Sequence, residues 1–305
     1  MNAPATAELR LDRILAARPL TLSFEYFPAK TPAAWTAWRG VASELASLAP
    51  DFCSVTYGAG GGTRGGTRQA VEQLQRELGC PAMAHLTCVG ASRDELRRLF
   101  DEYHAAGIVN LLALRGDPPK GQQDWRPHPD GPRYAGELLE LIARDGRYAA
   151  ACAAFPEGHP EAASREQDWR HLMGKFDRGA CVAITQGFFS AQPYRDLRGW
   201  LVAQGRGALR IVPGILPVQG WGWAKRFVER FSPATSLPEA MRLRLEPADG
   251  DEAAARRAGF AYTLDLCREL LAAGAPGLHI YTLNEAAFTR ELVLALRAEG
   301  WLGRK

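Results

Sequence analysis

A chain of 305 residues with 47% hydrophobic residues can bury a large core, either as one α/β barrel or as two smaller domains. The formal net charge of +3, with no Lys/Arg block interleaved with aromatics, excludes the signature of a nucleic-acid groove and points to small-molecule partners. Six cysteines without a C-x-x-C spacing argue for free thiols rather than zinc or disulfides, no run reaches the ~18 apolar residues of a membrane span, and Glu8, Arg10, Asp12 and Arg13 interrupt any signal peptide, so a metal-free cytoplasmic protein is expected.

After an N-terminal arm (about 1–19), the first strand-like run is "LSFEYFP" (22–28), where a period of two places Ser23, Glu25 and Phe27 on one side. A carboxylate turned into an apolar interior is expected to be desolvated, with a raised pKa that keeps it protonated as a general acid; a salt bridge to an arginine is the alternative. The second run, "FCSVTYG" (52–58), leads into "YGAGGGTRGGTR", which contains Gly60-x-Gly62-x-x-Gly65. A dinucleotide fingerprint needs a strand, a helix and an acidic residue about 20 positions on. The helix is present, with Val71, Leu74 and Leu78 in helical spacing, but the third run, "AMAHLTCV" (82–89), offers His85 and Thr87 and no carboxylate.

Next, "SRDELRRLFDEYHAAG" carries a capping box, Ser92 with Glu95, and a stop at Gly107. The fourth run, "IVNLLALRGD" (108–117), ends in Arg115, Gly116 and Asp117: a planar fork suited to phosphate, a glycine that lets a ligand approach the backbone, and a carboxylate, or else an internal Arg-Asp pair. Beyond "AACAAFPE" (150–157) lie His159, Asp168, His171 and Lys175, three of them spaced to share a helix face that is either solvated or grips a ribose and phosphates. "CVAITQGFF" (181–189) presents Gln186, whose amide suits the edge of a heterocycle or a backbone bond. "LRIVPGILP" (209–217) is followed by Trp221, Trp223 and a long connection (about 221–274) with two helical stretches around "PADGDE"; "GLHIYTLN" (277–284) is the eighth run.

Eight apolar runs separated by helical segments predict a single-domain (β/α)8 TIM barrel over 1–305, with no linker dividing it. Such barrels place their chemistry at the C-terminal strand ends, where Glu25, Thr56, His85, Thr87, Arg115, Asp117, Glu157, His159, Gln186, Tyr281 and Asn284 stand.

The segments "FEYFPAK", "SVTYGAGG", "HLTC", "ALRGD", "PEGHPEA", "ITQ", "VPGILP" and "YTLN", in this order over about residues 20–290, resemble methylenetetrahydrofolate reductases of the bacterial single-domain type. The resemblance implies a barrel that binds FAD and reduces 5,10-methylenetetrahydrofolate to 5-methyltetrahydrofolate with NADH or NADPH, by ping-pong kinetics; a homo-oligomer is compatible with it. By position, Glu25 matches the family's general acid and Asp117 a carboxylate near flavin and pterin. Thr56, Tyr57, Ala59, His85, Arg115, Gly116, Tyr134 and Phe155 match flavin contacts, and His159, Asp168, His171 and Lys175 the grip on adenosine and phosphates. Gln186, Trp221 and Tyr281 match the shared nicotinamide and folate site, and the Gly60 loop becomes the turn after strand two rather than a Rossmann unit.

Four positions depart from the family pattern: Trp221 for a usual Phe, Phe155 for a Tyr, Gly187 for a bulkier residue, and Glu285 for an Arg expected at the folate's glutamate tail. They leave open a branch that uses another electron donor or runs toward methylenetetrahydrofolate. A pterin-binding barrel methyltransferase without redox chemistry, and a non-catalytic flavin-binding relative, are the other readings.

Overall fold

Every one of the eight apolar runs becomes barrel wall. The computed structural model describes residues 8–57, 64–116, 126–231 and 235–303. Six strands come from the first six runs: β1 (Thr21–Tyr26), β2 (Phe52–Val55), β3 (Ala82–Thr87), β4 (Asn110–Leu114), β5 (Ala149–Ala154) and β6 (Ala180–Thr185). The seventh run yields two short pieces, β7 (Ile211–Val212) and β8 (Gly214–Ile215), and the eighth yields β9 (Gly277–Tyr281). All pairings are parallel, in the order β7-β6-β5-β4-β3-β2-β1-β9-β8. Because β7 pairs with β6 while β8 pairs with β9, one strand broken at Pro213 closes the (β/α)8 barrel. Proline has no N–H for the ladder, but its carbonyl still accepts from His279 N at 2.9 Å.

Helices α2 (Pro32–Ala46), α3 (Arg64–Arg76), α4 (Arg93–Ala105), α5 (Ala135–Asp145), α6 (Arg165–Asp177) and α7 (Ala191–Ala203) follow β1 to β6 in turn. The Ser92–Glu95 capping box forms as expected at α4, with bonds of 3.1 and 2.8 Å. After β8 the chain builds α8 (Trp221–Phe231), α9 (Glu239–Leu245) and α10 (Glu252–Ala272), and α11 (Ala286–Ala298) follows β9. The connection thus holds three helices where two were expected, since Pro238 fixes an extended N-cap that starts α9 afresh. Its apolar faces make a satellite core of Leu216, Val218, Trp221, Met241 and Leu245, with Phe189 from the β6 loop. Here α10 lies so close to the β8 exit that a Cβ on Gly259 would stand 2.2 Å from the Val218 carbonyl oxygen. No helix among the described residues is long and apolar enough to cross a membrane.

The N-terminal arm has a structural task that the sequence did not announce. Its helix α1 (Leu11–Ala17) caps the floor of the barrel, where Leu11 and Leu15 join Phe52, Met83, Leu112, Val182 and Val212 in an apolar inner core. Asn110 ties it down, accepting from Leu11 N at 2.7 Å and donating to the Leu9 and Ala82 carbonyls at 2.7 and 3.1 Å. Arg210 adds bonds to the Leu15, Arg18 and Pro276 carbonyls at 2.7, 2.7 and 3.1 Å. Polar side chains therefore collect above this plug, toward the C-terminal strand ends. Asn110→Ala strands three buried backbone groups at once, so urea unfolding is expected to show a loss of about 2–3 kcal/mol with an unchanged m-value.

Candidate active site

Parallel register sets the first cluster. Glu25 on β1 lies level with Ser54 on β2 and Tyr281 on β9, and Ser23, on the same face of β1, lies level with His279. His279 is fully buried, with Nδ1 2.7 Å from Ser23 Oγ and Nε2 3.2 Å from Ser54 Oγ and 3.5 Å from Glu25 Oε2. Ser54 Oγ donates to the same carboxylate oxygen at 3.3 Å. From β3, His85 Nε2 also comes within 3.3 Å of Glu25 Oε2 but lacks the direction of a hydrogen bond, so that contact is a charge interaction.

Burial alone would push the Glu25 carboxyl up, as the sequence suggested. The charge of His85 and the hydrogen bond to His279 outweigh it, and the carboxyl is held down, at about 2. This corrects the expectation of a carboxylic acid kept protonated by desolvation, and of an arginine as its alternative partner: the partners are two histidines. Burial pushes His279 below its ordinary value, so it stays neutral. Tyr281 turns its hydroxyl to the Thr185 carbonyl at 2.5 Å, bracing β9 against β6, with its ring edge-on to His279 at 5.7 Å.

A second cluster lies around the ends of β4 and β5. Gly116 sits at φ +85°, and a Cβ there would come within 2.7 Å of Val89 Cγ1, so only glycine fits. Arg115 forms a two-pronged pair with Glu161, with Nη2 donating to Oε1 at 2.8 Å. Asp168 on α6 is buried, and burial raises its carboxyl despite the charges of Lys175, His159 and His171 and the His159 backbone N–H, so the four residues do come together. Lys175 donates to the Ala153 carbonyl at 2.9 Å, and Phe155 stands edge-on to His159 with centroids 4.9 Å apart. A buried carboxylate beside a lysine and two histidines fits the hydroxyls and phosphates of a dinucleotide such as FAD.

The remaining expected residues are placed less closely. Thr56 and Tyr57 are half-buried after β2, and Thr56 N donates to the Tyr26 carbonyl at 2.9 Å. Tyr134, N-cap of α5, is 61% exposed. Gln186 follows β6, its backbone N–H bonded to the Ala154 carbonyl at 2.8 Å. Trp221 is not an open plate: it is 6% exposed, packed in the satellite core under Lys225 Nζ, 5.7 Å from its ring. At Gly187 the space of a larger side chain is taken by Leu216, whose Cδ1 lies 2.4 Å from where a Cβ would be. Glu285 accepts from Gln219 Nε2 at 3.3 Å. Ala59 and Asp117 lie outside the described residues. The sequence reading missed His279, Ser23 and Ser54 as site residues, although the period of two that singled out Glu25 also places Ser23 on its face and His279 on that of Tyr281.

Comparisons with known proteins identify the family of the chain. A family described as methylenetetrahydrofolate reductase matches residues 10–297. The 5,10-methylenetetrahydrofolate reductase of Salmonella typhimurium is 37% identical over 268 residues, covering 88% of this chain and 87% of that one. The enzyme of the same name from Escherichia coli K12 is 36% identical with the same coverage. Among solved structures, a Clostridium thermocellum protein described as binding two copies of 5-methyl-5,6,7,8-tetrahydrofolic acid superposes with a TM-score of 0.62 at 13% identity, over 95% of this chain and 98% of that one. A 2,3-dimethylmalate lyase reaches a TM-score of 0.52 at 14% identity, over 97% and 86% of the two chains. At such identities these two show the barrel alone.

A carboxyl held below its ordinary 4.5 contributes stability above that pH and loses it as pH falls toward about 2. Urea unfolding of the protein and of Glu25→Gln from about pH 6 to about pH 2 is expected to show a stability gap that closes across this window. A gap independent of pH means that Glu25 is not held ionised.

Proposed function

The chain belongs to the methylenetetrahydrofolate reductase family, and from that premise we propose that it reduces 5,10-methylenetetrahydrofolate to 5-methyltetrahydrofolate with bound FAD and a nicotinamide donor, NADH or NADPH, in two alternating half-reactions in the cytoplasm. The single observation that carries the chemistry is the Glu25 carboxylate, only 12% exposed on the inner face of the barrel between His85 and His279.

Opening the five-membered ring of the folate requires a proton on the departing nitrogen. Glu25 and His85, with Oε2 and Nε2 3.3 Å apart, would carry that proton as a pair. As the C–N bond breaks, the proton passes through Glu25 Oε2 to the nitrogen, and solvent restores it to the pair. The methylene carbon left behind is cationic, and Asp117 is the residue that would face it with a negative charge. FAD, when bound, supplies that carbon with the electrons it takes from the nicotinamide, as a hydride.

Arg115, Gly116, Phe155, His159, Asp168, His171 and Lys175 would hold FAD, with Thr56, Tyr57, Ala59, His85 and Tyr134 along the ring system. Glu161 takes two of the five N–H groups of Arg115, so a phosphate would share the guanidinium with that carboxylate or displace it. Gln186 at the β6 end and Tyr281 on β9 would wall the folate and nicotinamide site. Trp221 serves that wall from within, by fixing α8 and Leu216, rather than as an open stacking plate. Leu216 in the space beside Gly187 favours the second reading, a family branch with a different electron donor, because it reshapes the wall next to Gln186.

Anaerobic stopped-flow absorbance at the flavin maximum tests the proposal. Bleaching by NADH or NADPH and recolouring by methylenetetrahydrofolate are expected; flavin that neither nicotinamide bleaches selects the other branch, and protein that takes up no FAD excludes both. Glu25→Gln is expected to keep flavin reduction while slowing folate reduction by about 10²–10⁴-fold.

A further inference from the structure

One buried titratable group takes no part in handing a proton to the folate. His279 is fully buried below Glu25, stacked on Phe52 at 6.1 Å with the rings 19° apart and met edge-on by Tyr281. Its neighbours determine which nitrogen carries the hydrogen. Ser23 Oγ has two candidate acceptors, the Leu278 carbonyl at 3.3 Å and His279 Nδ1 at 2.7 Å. When the hydroxyl hydrogen goes to Nδ1, a neutral ring bears its hydrogen on Nε2; when Nδ1 donates instead, Ser23 passes its hydrogen to the Leu278 carbonyl. In the first case Nε2 donates to Ser54 Oγ at 3.2 Å, with Glu25 Oε2 just behind at 3.5 Å, and Ser54 gives its one hydrogen to Glu25 at 3.3 Å. Every donor is used once and every hydrogen runs toward the carboxylate. The opposite tautomer turns the Nε2 lone pair on Glu25 and leaves Ser54 with one hydrogen for two acceptors.

We infer that His279 is a positioning residue: clamped by Ser23 as the Nε2–H tautomer, it fixes the rotamer of Glu25 and holds Oε2 as the charged, proton-accepting end of the Glu25–His85 pair. This rests on the role proposed above for Glu25. The titratable groups that face Glu25 are His85 from β3 and His279 and Tyr281 from β9; burial pushes Tyr281 far up, so it stays neutral. Asp117, after β4, lies outside the described residues.

Two substitutions separate the two nitrogens of the ring. Glutamine sets an amide donor near the place of Nε2, whereas asparagine reaches only as far as Nδ1 and withdraws the donor from Glu25. In ligand-free protein labelled with ¹³C at the glutamate carboxyl, the Glu25 signal is identified by its loss in Glu25→Gln. Its titration is expected to move to higher pH in His279→Asn and to return toward the parent in His279→Gln. With FAD bound, folate reduction is expected to slow at least about 10-fold in His279→Asn and to recover in His279→Gln, with flavin reduction by the nicotinamide unaltered in both. An unmoved Glu25 titration in His279→Asn overturns the inference, and so does equal damage in both variants, the mark of lost packing alone. Should His279→Asn fail to fold, Ser23→Ala, which releases the clamp on Nδ1, is expected to shift the titration in the same direction, and no shift there overturns the inference equally. If Glu25→Gln leaves folate reduction intact while the titration still moves, the reaction assigned to Glu25 falls and the coupling to His279 stands.

Discussion

Enclosing a carboxylate in a barrel forces a choice between pairing it and neutralising it. Removal of an ion from water costs several kcal/mol even after relaxation, and the interior around Glu25 meets that cost with three hydrogen-bonding or charged neighbours on one oxygen. They arrive from three different strands because parallel pairing makes positions level: Ser54 beside Glu25, His279 beside Ser23, His85 from the next strand over. None of these partners is near Glu25 in sequence. The site is a product of barrel closure, and the closing strand is the one broken at Pro213, whose carbonyl receives the backbone N–H of His279.

The two ends of the interior are built from opposite materials for the same reason. Below, Phe52, Met83, Leu112 and Val182 leave no polar atom to satisfy, and α1 supplies leucines to finish the packing. Above, Ser23, His279, Ser54 and Glu25 bond to one another, and His85 Nε2 meets Glu25 as a charge without a hydrogen bond. Phe52 marks the border, touching the apolar floor on one side and the His279 ring on the other. On the opposite wall β5 reads "AAACAA", side chains too short to fill the interior or to keep α6 at a distance, which is how Lys175 reaches the Ala153 carbonyl and why the Asp168 cluster sits against that wall.

The fold was legible because its signal is local: a closed parallel barrel buries both faces of each strand, and eight apolar runs separated by helical spacing have few other ways to pack. Glu25 was legible too, as a charge in an apolar run. Its ionisation was not, since the direction of the shift depends on His85 and His279, 60 and 254 positions away in the chain. Spacing also exposed the Asp168, His171 and Lys175 face but left open whether it was solvated; burial of Asp168 settles that for one of the three, while His171 stays exposed. Trp221 misled because an aromatic at a loop start reads as a plate, and only the packing of α8 against α9 shows the ring turned inward. The plug formed by α1 carried no local signal beyond Leu11 and Leu15, which are as ordinary in a surface helix as in a cap.

Two of the positions that the resemblance singles out, Gly187 and Glu285, are met by near neighbours. Beside Gly187, Leu216 occupies the space that a larger side chain would need, so the wall near Gln186 is filled. Glu285, N-cap of α11, accepts from Gln219 of the β8 loop at 3.3 Å, a bond that ties two loops together. Neither contact touches the Ser23–His279–Ser54–Glu25 chain, which lies deeper and draws on strands β1, β2 and β9 alone. The contacts at Gly187 and Glu285 share no residue with this chain, so a change at either position leaves its hydrogen bonds in place.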